Sequence, residues 1–220
     1  MSPVVPAIIP TALTNLDETL ATVSPFAREV QVDIVDGVFV PFVSWPYGED
    51  DRISDIDAYT NDFLIEVDLM LMEPERVIEE YLKAGVRRAV VHLESTKNLD
   101  TILALKKKYD FKLGFSIGND TSLEMLMDVI DDADYVQFMG IAKIGSQGQP
   151  FDERVLERIS TLKKTHPNLL VSIDGSVNEE TISRLAHAGA DRVVAGSAIL
   201  KAENPHKAFE TLVSLYTISI

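Results

Sequence analysis

No cysteine occurs anywhere in the 220 residues, so disulfides, thiolate metal sites and cysteine nucleophiles are excluded together. Basic residues are scarce: 20 Lys and Arg stand against 35 Asp and Glu, a formal charge of -15. That balance argues against nucleic acid and against anionic membrane, whose affinities depend on neutralising many phosphates. A single small phosphate is not excluded, because a few backbone N–H groups can hold it whatever the sign of the whole surface. No apolar run approaches membrane-spanning length. No basic stretch followed by an apolar signal core opens the chain at Met1-Ser2-Pro3-Val4-Val5-Pro6. A cytoplasmic protein is expected. Linkers, low-complexity tracts and long repeats are also missing, which leaves one domain over residues 1–220 as the expectation.

What is present is an alternation. Short β-branched runs near residues 4–10, 29–35, 63–70, 87–92, 111–117, 133–139, 168–174 and 191–195 read as buried strands. Amphipathic stretches such as 74–84, 152–164 and 178–188 lie between them. Eight strand-helix units in 220 residues fit a compact α/β protein, a single (β/α)8 TIM barrel. An open doubly wound sheet is the alternative, since periodicity fixes the alternation and not the closure. The absence of a Gly-rich dinucleotide fingerprint after the first strand weighs against it.

Two aspartates end such strands, Asp33 in Val32-Asp33-Ile34-Val35-Asp36-Gly37 and Asp174 in Ile173-Asp174-Gly175-Ser176. A carboxylate on each side of a bound substrate can remove a proton from one face and return one to the other, which is the chemistry of an epimerase. In a barrel, the second and seventh strands lie three apart around the ring, so the two could approach a sugar from opposite sides. Two connections, 37–51 and 140–150, are longer than a barrel needs, and loops at carboxyl ends of strands are where barrels place their sites. The second contains Lys143, Gly145, Ser146, Gln147 and Gly148 and reads either as a lid or as a solvated loop. Gly175-Ser176 after the seventh strand and Gly196-Ser197 after the eighth stand where barrels commonly hold a phosphate. Either pair taken alone reads rather as an ordinary turn or cap, and it is the two together, at these two strands, that point to a phosphate.

These segments resemble the ribulose-phosphate 3-epimerase family. The run Val32-Asp33-Ile34-Val35-Asp36-Gly37-Val38-Phe39-Val40-Pro41 is similar to the family signature. Ala7-Ile8-Ile9-Pro10-Thr11 resembles its first strand with threonine replacing serine, Glu66-Val67-Asp68-Leu69-Met70 its third, and Val91-His92-Leu93-Glu94 its fourth. Ile173-Asp174-Gly175 and Val194-Ala195-Gly196-Ser197 resemble the last two. The resemblance implies metal-assisted 1,1-proton transfer beside the ketone of a ketose phosphate, with Asp33 and Asp174 as acid-base pair and metal ligands. It also implies substrate and phosphate contacts at Thr11, His92, Gly145, Ser146, Gly148, Gly175, Ser176, Gly196 and Ser197.

The departures are specific. The family completes its metal site with two histidines, and the matching positions here are Gln31 and Asp68. A set of Gln31, Asp33, Asp68 and Asp174 is all oxygen and suits magnesium or manganese better than zinc. The competing readings are a sugar-phosphate binder that has lost its metal, and a lyase of the related sugar-phosphate synthases and decarboxylases. Those lyases carry Asp-x-Lys-x-x-Asp on the third strand, where this chain has Met70 at the lysine position. Without a cation, the three carboxylates would repel one another and at least one should have a raised pKa. His92 reads either as facing the mouth or as a hydrogen-bonded core residue, and Asp36 as the orderer of the turn at Gly37. Trp45, on the loop after the second strand, is expected to be exposed as site cover or as a subunit contact in a homo-oligomer.

Overall fold

The computed structural model describes residues 2–48, 51–144 and 148–220. Eight parallel strands close into a barrel in sequence order: β1 (Val4–Ile8), β2 (Glu29–Val35), β3 (Leu64–Met70), β4 (Arg88–His92), β5 (Lys112–Ile117), β6 (Tyr135–Met139), β7 (Leu170–Asp174) and β8 (Arg192–Ala195). Outside lie α1 (Leu13–Val23), α2 (Ile78–Lys83), α3 (Leu99–Leu105), α4 (Leu123–Met127), α5 (Arg154–Thr165), α6 (Ile182–Ala188), α7 (Ser197–Leu200) and α8 (Pro205–Thr217). The doubly wound alternative is thereby excluded, because β1 pairs with β8 as well as with β2. Between β2 and β3 the crossover is a 3-10 helix, Ile53–Tyr59, with Ile56 as its buried anchor.

The strands that read as uniformly apolar are two-faced. Val30, Val32 and Ile34 of β2, Ile65, Val67 and Leu69 of β3, and Val136 and Phe138 of β6 join the main core against the helices. The residues between them, Gln31, Asp33, Glu66, Asp68 and Gln137, are also buried but belong to the barrel interior. Period-two alternation puts one set on each face. Barrel interiors are usually filled with branched apolar side chains. Here a small apolar cluster of Val5, Ala7 and Val194 represents that filling, and much of the remaining axis is polar.

At the amino-terminal end of the strands this polarity is balanced. Glu66 accepts from Arg88 Nε at 3.1 Å, from Arg192 Nη1 at 2.9 Å and from the Tyr135 hydroxyl at 2.6 Å. Glu29 lies 3.3 Å from Arg88 and 3.2 Å from Arg192. Two carboxylates therefore face two guanidiniums, as buried charge requires.

Trp45 departs from expectation. It is fully buried in the main core, and its backbone N–H donates to the Pro10 carbonyl at 2.8 Å. The loop after β2 thus folds back over the end of β1, leaving Phe42 and Val43 partly exposed in its place. Asp36 does order the turn, accepting from the backbone N–H groups of Val38 and Phe39 through one oxygen and of Met72 through the other.

Gly140 holds the end of β6 against β7. Its N–H donates to the Asp174 carbonyl at 2.6 Å, and a Cβ there would come within 2.1 Å of the Gly175 carbonyl oxygen. The obstructing atom is backbone and cannot swing away. Gly140→Ala should therefore destabilise the fold by about 1–3 kcal/mol, the usual range for overpacking, and displace Asp174. Thermal unfolding checks this, and an unchanged midpoint would contradict it.

Candidate active site

Asp33 and Asp68 are direct neighbours in the β2–β3 register, and Asp174 ends β7 across the barrel mouth. One carboxylate oxygen from each lies within 4.8 Å of the others, and all three residues are buried. No lysine or arginine pairs with them among the described residues. The contrast with Glu29 and Glu66 is direct: the same barrel neutralises its lower carboxylates with arginines and leaves the upper three to one another. Their partners are hydrogen-bonding groups without a fixed charge. Gln31 Nε2 donates to Asp33 at 2.9 Å, Gln137 Nε2 donates to Asp68 Oδ2 at 2.8 Å, and His92 Nε2 lies 3.1 Å from Asp68 Oδ1.

The electrostatic consequence follows. Burial, and after it the carboxylates of Asp174 and Asp68, push the Asp33 carboxyl well above the usual carboxylate range. Burial and then Asp68 push Asp174 up to about 7. Burial opposes charge on His92, but the adjoining Asp68 carboxylate outweighs it and raises the imidazole pKa. Three carboxylates this close cannot all ionise without a compensating positive charge.

Asp33 and Asp174 line a cavity of about 340 Å³. Its walls are apolar at Ala7, Ile9, Met70, Met139, Ile141 and Val194. Its far end is made by Gly175, Ser176 and Asn178 from the loop after β7, and by Gly196, Ser197 and Ala198 from the start of α7. Both Gly-Ser pairs are therefore brought to one corner. Gly175 has φ +97°, where glycine is at home, and Ser176 follows at φ 53°, a conformation that costs a non-glycine residue energy. That turn is held by the Thr181 hydroxyl, which donates to the Ser176 carbonyl at 2.7 Å. The Ser176 hydroxyl donates to the Gln149 carbonyl, tying the end of the 140–150 loop to this corner.

Gly148 also lines the cavity, whereas Gly145 and Ser146 lie outside the described residues. Thr11 and His92 are not brought to the cavity wall. Thr11 is exposed, its N–H taken by Asn15 Oδ1 at 3.2 Å. His92 is wholly buried behind Asp68, with the Phe39 ring 5.4 Å from its own. Val35, Val40 and Met70 pack together with Phe39 and Ile144 as apolar cover beside the mouth.

Gln137 and Asn178 are two site residues that the motifs do not single out. A glutamine between Val136 and Phe138 is a polar residue on the inner face of an apolar strand, and that mismatch is the one signal of its place. Asn178 looks like an ordinary helix-capping residue, and it does accept from the Glu180 and Thr181 backbone N–H groups.

A model of the ribulose-phosphate 3 epimerase family matches residues 3–200. The ribulose-phosphate 3-epimerase of Aquifex aeolicus is 32% identical over 192 residues, covering 86% of this chain and 84% of that protein. That of Bacillus subtilis is 32% identical over 188 residues, covering 83% and 84%. Among solved structures, a 3-hexulose-6-phosphate synthase superposes with a TM-score of 0.73 at 21% identity, covering 98% of this chain and 99% of that one. A 3-keto-L-gulonate-6-phosphate decarboxylase from Vibrio cholerae gives 0.75 at 15% identity over 100% of each chain. At such identities these structures establish the barrel fold alone.

Proposed function

The chain belongs to the ribulose-phosphate 3-epimerase family, and from that premise we propose that it epimerises a ketose phosphate, D-ribulose 5-phosphate or a close analogue, with Asp33 and Asp174 as the acid-base pair. The observation that carries this is the pair of buried aspartates lining one cavity with raised pKa values. Epimerisation needs one group ready to accept a proton and another ready to give one. Two carboxyls that cannot both ionise meet that need near neutral pH, and they exchange roles when the reaction runs backwards.

A divalent cation fits the residues present. The three carboxylates have no arginine or lysine partner among the described residues, and Gln31 Oε1 is buried without a hydrogen-bond partner beside Asp33. Asp33, Asp68, Asp174 and the Gln31 carbonyl oxygen would hold it, and oxygen donors of this kind favour magnesium or manganese over zinc. When bound, the cation would supply Lewis-acid stabilisation of the negative charge that develops on the substrate oxygens.

The phosphate is assigned to the corner formed by Gly175, Ser176, Gly196 and Ser197. Glycines allow the backbone to come close to an anion, and no positive side chain lines the cavity among the described residues. Ser197→Asp should therefore weaken binding of the sugar phosphate by at least about tenfold while leaving the fold intact, because it sets a negative charge where an anion is expected. Unchanged affinity in calorimetry would remove this corner from the site.

The test of the activity is incubation with D-ribulose 5-phosphate in deuterium oxide, with magnesium, manganese or chelator, following C3 deuteration and xylulose 5-phosphate by NMR. Metal-dependent exchange with epimerisation is the expected result. No exchange for any ketose phosphate in a panel would refute the reading and favour a sugar-phosphate binder.

A further inference from the structure

Asp68 is gripped from two sides. Its Oδ1 meets His92 Nε2 at 3.1 Å from β4, and its Oδ2 accepts from Gln137 Nε2 at 2.8 Å from β6. The side chains of Asp68, His92 and Gln137 are all fully buried, so bulk water does not substitute for either partner. A carboxylate has about four lone-pair sites, and one partner on each oxygen leaves each with a lone pair for a metal ion. Groups that hydrogen-bond a ligating carboxylate fix its orientation, and their loss commonly weakens metal affinity by about 10–100-fold.

We infer that Gln137 is a positioning residue for the cation, holding Asp68 across the barrel so that its carboxylate faces Asp33 and Asp174. This rests on the metal-assisted reading above. The choice of amide is informative. Glutamine at this position supplies a donor without adding charge, whereas a glutamate would place a fourth carboxylate against Asp68, and a leucine would leave Asp68 Oδ2 without its donor in a buried site. Gln137 sits on β6, beside Ser172 in register and two residues before Met139. Met139 lines the cavity and Gln137 does not, so Gln137 acts on the site through Asp68 and not by touching substrate.

The test is manganese binding to the substrate-free protein, followed by the EPR signal of free Mn²⁺ and by calorimetry, for the parent chain and for Gln137→Leu. A Kd raised by about 10–100-fold in the variant is expected, with the thermal midpoint in chelator serving as the check on folding. The same substitution in an Asp68→Ala background should have no further effect on Kd, since Gln137 acts through Asp68. A Gln137→Leu chain that folds and binds manganese as tightly as the parent overturns the inference and leaves the metal reading standing. A purely structural role would lower the midpoint in chelator without changing Kd, which also overturns it. Failure of the parent chain to bind manganese or magnesium at all would instead overturn the metal reading, and the inference with it. Should Gln137→Leu not fold, Gln137→Met, of similar length and likewise without a donor for Asp68 Oδ2, takes its place, with the same loss of affinity expected.

Discussion

Asp174→Asn should lower the rate of C3 proton exchange by roughly 10²–10⁴-fold, the range that one positioned acid-base group supplies, while the Kd for the sugar phosphate changes by no more than a few-fold. The substitution keeps the shape of the side chain and removes its capacity to carry a proton. Gly175, Ser176 and the α7 corner, where the phosphate is assigned, stay in place because Thr181 holds the turn and an asparagine oxygen can still accept the hydrogen bond that the Gly175 N–H gives the carboxylate. Asp33→Asn should be equally damaging, since each proton transfer needs its own group. The two can be told apart by substrate: from one epimer, the variant lacking the base should show the larger loss of exchange and the variant lacking the returning acid the smaller, and from the other epimer the order should reverse. NMR of C3 deuteration from each epimer in turn reads this directly. Exchange at the parental rate in either variant would sink the two-base assignment.

The second large effect is on stability. Asp33 and Asp174 both have folded-state pKa values raised above those of an unfolded chain. The folded protein therefore binds more protons than the unfolded one once pH exceeds about 4, where free aspartates ionise. Stability then falls as pH rises. The loss runs from about pH 4, the unfolded value, through about 7, where Asp174 titrates, and the raised carboxyl of Asp33 contributes with the same sign. Metal-free protein should accordingly unfold at lower temperature at about pH 8 than at about pH 5.5. A divalent cation should reverse the trend, because it competes with protons for the carboxylate oxygens. At roughly 100 times its Kd it stabilises by about 2.7 kcal/mol, a rise in Tm on the order of 5–10 °C for a chain of this size. Calorimetric scans at the two pH values, with chelator and with manganese, check both signs. A manganese shift as large at the lower pH as at the higher, or no shift at the higher, would contradict an origin in the buried carboxylates.

Much of the fold and of the site is legible in the residue pattern. The eight strands lie within about two residues of the β-branched runs at both ends, and Asp33, Asp68, Asp174 and the two Gly-Ser pairs all stand at or near the carboxyl ends of strands. The reason is that strand ends in a closed parallel barrel all open onto one face, so position along the chain nearly determines position in the site. Trp45 shows the opposite case. Its burial depends on a loop folding back to the Pro10 carbonyl, a long-range contact that no local pattern encodes. His92 is another: its place at the end of β4 suits the mouth, yet its ring is taken up behind Asp68.

The alternation of elements, the acidic balance, the lack of thiol chemistry and the family can all be read from residue identity and spacing along one line, and need no coordinates. Which side chains share a charge environment cannot be read that way. Glu66 and Asp68 are two residues apart on β3 and equally buried, yet one meets two arginines and the other meets two carboxylates. That difference arises across the barrel, from β4 and β8 below and from β2 and β7 above. Coulomb interactions and hydrogen bonds depend on distance in space, which chain order does not specify.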